Sequence, residues 1–455
     1  YQGVYPSIGS NSARRVIPIN LVFSYVHTEI PRLYFRDPFI SVNAMGQGFI
    51  DRAKILEVAV NYLLRELNFK HEIFKVLLDT LLVGHGWLKF GYSGTFGQTQ
   101  TAETLRFLPE AERKKRQVEE VSEFIKSEEI FITHIPWQDV VFDQACSDPP
   151  YDCRWIAHRL IRPLEAVKRS QLYQNASNLK SNFSYAGDRT SKYGTSGTYA
   201  IDVDYPLVEL WEVSDKDTGR RYVVAPGHDK YLRDVDNPDL IEGLPFSMLK
   251  FNPVPGKPYP LSDIFLIEPQ ILERIKLRNM QLNHVKRFSR QVFAEKDAMT
   301  PTEAAKYSNG TDGAIIWLNP GGITKVKSPE YPPVQSDIWQ LETLIQMDMD
   351  TIIGQTQTDR GAQAQTRTRT LGEVQLQRIG SQTRSDRKRD VLEDFIEEAI
   401  KKVIQLLKQF QVAPRYVRNL EADPESIKKI VGEIFDGEGL AFTRDDIQGD
   451  YDVDV

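Results

Sequence analysis

Few residues of this chain have the types and spacing that catalysis requires. The motifs GxxxxGK[ST], HExxH and GxSxG, which would predict a phosphate loop, a zinc protease helix or a nucleophilic serine, are absent from the sequence. The seven histidines never fall at ligand spacing. Cys146 and Cys153 are too far apart for a CxxC redox motif, and buried or incidental thiols are the favoured interpretation. We therefore expect no enzyme, no cofactor and no metal.

The last 23 residues carry the one carboxylate cluster that could suggest metal chemistry. Residues 433–455 contain eight acidic residues and one basic residue. A calcium loop would need a DxDxDG order, whereas Gly449 precedes Asp450. The leading interpretation is an acidic edge that faces solvent or another subunit. A metal-dependent nuclease that uses these aspartates remains an alternative, although no base or nucleophile accompanies them.

The composition sets limits on the class of protein. The 455 residues include 57 Lys and Arg and 63 Asp and Glu, which gives a formal net charge of -6. This balance excludes a protein that coats DNA tightly, because such a protein must neutralise many phosphates. Two cysteines exclude a disulfide scaffold. No apolar run approaches the ~20 residues that span a bilayer, and no signal peptide is evident, so we expect an intracellular or particle-bound protein without a membrane partner.

Basic residues are concentrated in two windows despite the negative total. Residues 274–296 contain seven basic residues and one acidic residue, and residues 355–389 contain eight and three. Contact with nucleic-acid phosphates is favoured for the first window, whereas salt bridges between helices or subunits are slightly favoured for residues 384–389. The candidate basic face in the first window consists of Arg278, Lys286, Arg287 and Arg290.

Residues 354–370, GQTQTDRGAQAQTRTRT, form a polar segment without any aromatic residue or any apolar residue larger than alanine. The segment therefore cannot stack bases or anchor in a core. A disordered linker and a loop that touches a polyanion weakly are about equally favoured. A few arginines among neutral side chains suit DNA that must slide, because each retained phosphate contact adds affinity. The candidate channel residues are Gln355, Gln357, Arg360, Gln363, Arg367 and Arg369.

The elements that must position these residues indicate an α+β protein. Apolar spacing predicts two helices over residues 50–64 and 73–81, and alternation predicts a strand over 87–92. We also predict an irregular N-terminal arm over the first 45 residues, a charged surface helix within 95–129, a helix over 155–173, and a hairpin around the turn at 217–219. Long helices follow at 264–290, 338–353 and 371–411, the last with a kink at Gly380.

Several stretches of the chain resemble the portal proteins of tailed bacteriophages. They are IPRLYFRDPFISV (residues 30–42), WQDVVFDQA (137–145), ELWEV (209–213), LPFSMLKFNPVPGKPYPLSDIFLIEPQILERIKLRNMQLNHVKR (244–287) and DIQGDYDVDV (446–455). These motifs are structural rather than catalytic, and the longest is the most specific. The order of helix, short module, helix, polar segment and long helix supports the resemblance independently.

The resemblance implies a subunit of an axial ring with a wing, a stem, a clip and a crown. Its parts are expected to be an N-terminal arm (residues 1–45), a mixed wing (46–260, with the helical insertion 95–129), stem helices (261–290 and 334–353), a clip (291–333), a tunnel loop (354–370), a long kinked wing helix (371–411) and a small crown or return to the wing (412–455). Only 44 residues follow Gln411, which argues against a large crown.

The resemblance also implies partners and a location. Such a chain forms a homo-oligomeric ring, expected to be a dodecamer in the virion, through which double-stranded DNA passes during packaging and ejection. The ring docks the terminase large subunit and then the head–tail adaptor, and contacts the major capsid and scaffold proteins. It lies at the portal vertex of the capsid, after a period in the host cytoplasm during assembly. Another ring-forming connector or adaptor of the virion remains the alternative.

Overall fold

The structure is a computed structural model that describes most of the chain in separate stretches. These are residues 20–35, 38–98, 123–183, 205–237, 241–289, 293–295, 297–309, 316–327, 336–354, 371–411, 415–418 and 439–455. The chain divides into two compact units, which are described in turn: a larger one formed by Ser24–Leu266 and Thr366–Val455, and a smaller one formed by Tyr1–Phe23 and Ile267–Gln365. Among the described helices, none combines the length and the apolar character needed to cross a membrane.

Helices of the larger unit follow the apolar spacing of the sequence. Leu56, Val60 and Leu64 bury one face of the second helix, and Ile73 and Leu77 do the same in the third. The third helix ends at a glycine with a left-handed backbone, as helices commonly do. The helices are α1 (Leu21–Leu33, which begins in the smaller unit), α2 (Ile50–Glu66), α3 (Phe69–Val83), α4 (Leu164–Arg169) and α9 (Leu371–Phe410).

The strands of the larger unit form antiparallel sheets. The strands are β1 (Ser41–Ala44), β2 (His85–Gln98), β3 (Glu123–Ile135), β4 (Val140–Phe142), β5 (Trp155–Pro163), β6 (Leu207–Asp215), β7 (Arg220–Val224), β8 (Arg233–Asp236), β9 (Phe246–Lys250), β12 (Arg415–Arg418), β13 (Gly439–Phe442) and β14 (Tyr451–Asp454). One sheet has the order β3-β2-β9 and a second the order β4-β5-β6-β7-β8, while β1 pairs with β14 and β12 with β13. The hairpin predicted around residues 217–219 is confirmed as β6 and β7.

Helix α9 and the three-stranded sheet share the core of the larger unit. The helix packs on β9 and β2 and buries Ile396, Ile400 and Val403. It runs without interruption for 40 residues, which confirms the predicted long helix; the kink at Gly380 stays a prediction. At about 1.5 Å rise per residue, α9 is about 60 Å long.

Three local predictions differ from the structure. Residues 21–33 are helical rather than irregular, because Val22, Tyr25 and Val26 bury a helical face and the proline at position 31 lies in the last turn. Both ends of the predicted insertion helix are strands, since residues 95–98 pair with 123–127 in the β2–β3 ladder; residues 99–122 lie outside the described part. Residues 155–163 form β5, a strand paired on both edges, and only 164–169 are helical. Sheet pairing here overrides local helix preference.

The smaller unit contains two long helices with a short module between them. Helix α5 (Asp263–Ser289) begins in the larger unit and α8 spans Ser336–Ile353, close to the predicted bounds. Ile271 and Ile275 are buried on α5, and Ile345 and Met349 are buried on α8. The described part of the module holds β10 (Phe293–Ala294), α6 (Pro301–Asn309), α7 (Gly322–Lys325) and β11 (Val326–Lys327), with β10 and β11 paired.

Candidate functional site

The candidate channel residues lie mostly beyond what the structure describes. Gln355, Gln357, Arg360, Gln363, Arg367 and Arg369 all fall outside the described residues, as does Arg290. Arg278 is exposed on α5, and Lys286 and Arg287 lie nearer the end of that helix. The assignment of these residues to a DNA-facing surface stays a prediction.

Arg274 of α5 is engaged with α8 in the smaller unit. Its guanidinium lies 3.7 Å from a carboxylate oxygen of Glu342 and also donates a hydrogen bond to the side-chain oxygen of Gln346. Gln346 in turn donates to Asp350 over 2.7 Å. One cation of the first basic window is thus a contact between the two long helices, which supports the salt-bridge interpretation at this position.

Lys388 in the second basic window belongs to a buried network of the larger unit. Its ammonium lies 2.7 Å from the carboxylate of Asp263 and 3.3 Å from that of Glu29. The hydroxyl of Tyr25 donates to Asp263 over 2.7 Å. All three partner side chains are buried, so this lysine joins α1, α9 and the first turn of α5 and does not face solvent as a phosphate ligand would.

The network holds its charges in the paired state. Burial by itself would raise the pKa of Asp263, but Lys388 and the hydrogen bonds to the carboxylate outweigh it and lower that pKa. Burial, reinforced by the nearby Asp263 and Glu29 carboxylates, raises the pKa of Tyr25 well above its usual value, so its hydroxyl remains a donor. Arg389 also binds within the unit, donating to the backbone oxygen of Arg32 over 2.6 Å. The salt-bridge interpretation is confirmed for Lys388.

A second buried charge cluster joins the two large sheets. Lys89 of β2 contacts Glu212 of β6 over 2.7 Å and lies 3.2 Å from the ring nitrogen of His158 on β5. Arg221 lies 3.4 Å from the same glutamate. Burial opposes ionisation of Glu212, but Lys89 and Arg221 lower its pKa to about 2. Burial and the lysine lower the pKa of His158 to about 4, so the imidazole is neutral near pH 7.

An open cavity of about 420 Å³ adjoins β2 and β4 in the larger unit. Its lining is mostly aromatic and apolar, and it includes His85, whose pKa burial lowers to about 4. The imidazole accepts a hydrogen bond from the indole of Trp87 over 3.1 Å. A neutral histidine that accepts a structural hydrogen bond, without a carboxylate or nucleophile in the lining, favours a packing role. The lining residues are Val83, His85, Trp137, Gln138, Val140, Phe142 and Tyr259.

The C-terminal aspartates have structural positions. Asp446 closes a capping box by accepting from the backbone nitrogen of Thr443 over 2.8 Å and from its hydroxyl over 2.9 Å. Asp452 and Asp454 point outward on β14, whose ladder pairs with β1. Within the described residues, the grouping of three potential metal ligands lies elsewhere, at Cys146, Asp152 and Cys153.

Helix α8 presents several large apolar side chains to solvent outside its buried face. Met347 is 54% exposed and Trp339 is also 54% exposed, and Leu344 is similarly open. At about 100° per residue, Met347 lies nearly opposite Met349 on the helix. Apolar side chains of this size at a protein surface commonly mark a contact with another molecule.

Sequence reasoning missed both buried charge networks. Asp263 and Lys388 are 125 positions apart, and Lys89 and Glu212 are 123 apart, so no spacing rule connects either pair. The one local signal was the acidic residue in the first turn of α5, which suits the positive end of a helix dipole.

Comparison with known proteins identifies the family of the chain. No curated protein sequence matches the chain. The family model described as the phage SU10 portal protein matches residues 36–428, which include both sheets, the two long helices of the smaller unit and α9. The chain therefore belongs to the phage SU10 portal protein family and is a portal protein of a tailed bacteriophage.

Proposed function

We propose that this chain is one subunit of a ring that forms the channel for double-stranded DNA at the portal vertex of the capsid. Family membership over residues 36–428 is the observation that carries the proposal. The order of elements along the chain also supports the proposal: a long helix, a short module, a second long helix, a polar segment and a 40-residue helix. In this assignment α5 and α8 are the stem, residues 291–333 the clip, and residues 354–370 the tunnel loop.

The exposed apolar side chains of α8 suit a contact between neighbouring subunits. A ring of identical chains buries a surface on each copy, and apolar side chains supply most of the free energy of such burial. Met347 is about half exposed nearly opposite the face of α8 that packs within the unit, and Trp339 is exposed to the same extent on the flank of the helix. We assign them to the interface with the next copy of the chain.

Electron microscopy and native mass spectrometry of the purified protein test the ring. The wild-type chain should give closed rings, and the double variant Trp339→Glu with Met347→Glu should give monomers or small oligomers. Leu172→Glu is the matched control, because that side chain is 61% exposed in the larger unit, away from α8 in sequence. A wild-type chain that stays monomeric at every concentration and in assembled particles would refute the proposal.

The polar segment is proposed to face DNA. The triple variant Arg360→Glu, Arg367→Glu and Arg369→Glu should still form rings but should protect much less DNA from nuclease in a packaging assay, because each added carboxylate repels the phosphates. The triple Arg→Lys variant keeps the charge and should package normally. Arg169→Glu changes a side chain that is 83% exposed and should also package normally. Normal packaging by the triple glutamate variant contradicts the assignment.

Docking of the terminase large subunit and later of the head–tail adaptor is assigned to the clip, and contact with capsid and scaffold proteins to the wing. The ring itself should not hydrolyse ATP, because the motor is then a separate protein. Labelling the chain in purified virions separates this role from that of a tail adaptor. Label at the capsid vertex supports the portal assignment, and label confined to the tail supports the adaptor.

A further inference from the structure

Two cysteine thiols lie unusually close together in the core of the larger unit. Cys146 and Cys153 are both buried, and their sulfur atoms are 2.9 Å apart. A disulfide bond has a length of about 2.0 Å, so the sulfurs need to approach by only about 0.9 Å to form one. The proposed role as a DNA channel assigns no function to this pair.

The loop between the cysteines is held closed by its own hydrogen bonds. The carboxylate of Asp152 accepts from the backbone nitrogen of Ser147 over 2.6 Å and from that of Asp148 over 2.9 Å. The backbone nitrogen of Cys146 donates to the carbonyl of Asp143 over 3.3 Å. The folded backbone therefore keeps the two sulfurs together without help from a covalent bond.

A metal site fits this geometry less well than a disulfide. The two sulfurs and one oxygen of Asp152 lie within 4.8 Å of one another. Zinc–sulfur bonds of about 2.3 Å at tetrahedral angles would hold the sulfurs about 3.8 Å apart, farther than they are here. Both oxygens of Asp152 already accept backbone hydrogen bonds, which leaves the carboxylate less available as a ligand.

We propose that Cys146 and Cys153 are a redox-active dithiol that hydrogen peroxide converts into an intramolecular disulfide. The thiolate of Cys146 attacks peroxide, the O–O bond breaks, and the departing hydroxide takes up a proton to give water and a sulfenic acid. The sulfur of Cys153 then attacks that of Cys146, the S–O bond breaks, and the Cys153 proton leaves with the hydroxide as a second water. The two sulfurs supply the two electrons that reduce the peroxide.

The environment of the pair favours this order of events. The thiol of Cys153 donates its hydrogen bond to the sulfur of Cys146. Burial raises the pKa of both thiols, and this hydrogen bond opposes the increase at Cys146 but adds to it at Cys153. Because the sulfur of Cys146 accepts this hydrogen bond, we assign it as the sulfur that is oxidised first, and Cys153 is 2.9 Å away to resolve the sulfenic acid.

The bridged loop contacts α9 and β9. The hydroxyl of Tyr151 donates to Glu398 of α9 over 2.6 Å, and Asp148 forms an ion pair with Lys250 of β9. A disulfide at the ends of the loop reduces the conformational freedom of this segment in the unfolded chain. We therefore expect oxidation to stabilise the folded protein against unfolding.

Peroxide treatment of the full-length protein tests the proposal. After reduction and removal of the reductant, the two thiols should disappear together, the intact mass should fall by about 2 Da, and digestion should yield one linked peptide that contains both cysteines. In Cys153→Ser, dimedone should trap a sulfenic acid on Cys146. The oxidised wild type should melt a few degrees above the reduced form, whereas peroxide should leave the melting temperature of Cys146→Ser unchanged.

Two outcomes would overturn the proposal. In the first, the two cysteines of folded wild-type protein are found as sulfinic acid or as unreacted thiol after peroxide treatment. The same treatment must oxidise both thiols in denatured protein. The other is one equivalent of Zn²⁺ that stays bound through desalting and is lost in Cys146→Ser, which would make the cluster a metal site. Circular dichroism of each variant, compared with reduced wild type, confirms that the comparison concerns folded protein.

Discussion

Replacement of Lys388 by methionine decides whether this lysine is a structural ion-pair partner or a phosphate ligand. The change keeps most of the side-chain volume but removes the ammonium that lies against the carboxylates of Asp263 and Glu29, although the guanidinium of Arg32 remains 3.6 Å from Glu29. Their side chains are 8% and 4% exposed. Removing one partner of a buried pair costs about 3–5 kcal/mol, because the remaining charge has lost both water and its partner.

Guanidinium unfolding followed by tryptophan fluorescence at a fixed protein concentration measures this loss. Lys401→Met is the matched control, because Lys401 lies on the same helix, is 46% exposed and pairs with Glu397 one turn away. That pair should be worth at most about 0.5 kcal/mol. The double variant Lys388→Met with Asp263→Asn should lose less than the sum of the single variants, because the second change removes the uncompensated charge.

The loss should be smaller at pH 5 than at pH 7. In the wild type, Lys388 outweighs burial and lowers the pKa of Asp263, so the stabilisation is complete above the ordinary aspartate pKa and is lost as the pH falls through the lowered value. In the variant burial dominates and raises that pKa, so acidification neutralises the carboxylate and relieves the penalty by about 1.4 kcal/mol per unit of pKa. A variant with wild-type stability but defective DNA packaging would refute the structural role.

Two other positions give sharp expectations. Glu212→Gln should lower the free energy of unfolding by about 3 kcal/mol at pH 7, because Lys89 and Arg221 lose their buried counter-charge. The difference from wild type should shrink as the pH falls from about 4.5 towards 2, because wild-type Glu212 then becomes protonated. Urea unfolding at pH 7 and pH 3 measures the difference, and an equal loss at both pH values would contradict the prediction. Gly86→Ala places a methyl group against the carbonyl oxygen of Val76 and should lower the free energy of unfolding by about 1–3 kcal/mol, whereas Gly48→Ala, with nothing within 4 Å, should be nearly neutral.

Periodic elements were the most predictable part of the fold. The spacing of Leu56, Val60 and Leu64 predicted α2, and the same reasoning predicted α3, α5, α8 and α9 to within a few residues at most ends. These helices bury an apolar stripe, and such a stripe is visible in the sequence because its period belongs to the helix itself.

Elements whose identity depends on distant partners were less predictable. The segment at 155–163 was predicted as helix but lies between β4 and β6, and 123–129 was predicted as helix but pairs with β2. Ladder hydrogen bonds come from other parts of the chain, so the local sequence does not reveal them. The α+β class and the portal family were nevertheless accessible, the latter because its motifs extend along most of the chain.

The role of each basic residue depended on its surroundings. The sequence by itself determined the long helices, the polar segment between α8 and α9 and the segregation of positive charge against a net charge of -6. Only the tertiary structure decided that Lys388 neutralises Asp263 and that Arg274 meets Glu342. It also brought the thiols of Cys146 and Cys153 to 2.9 Å across a closed loop. The sequence gives the number of charged residues and thiols. Their pKa values and contacts depend on which groups lie beside them in the folded protein, and these neighbours come from distant parts of the chain.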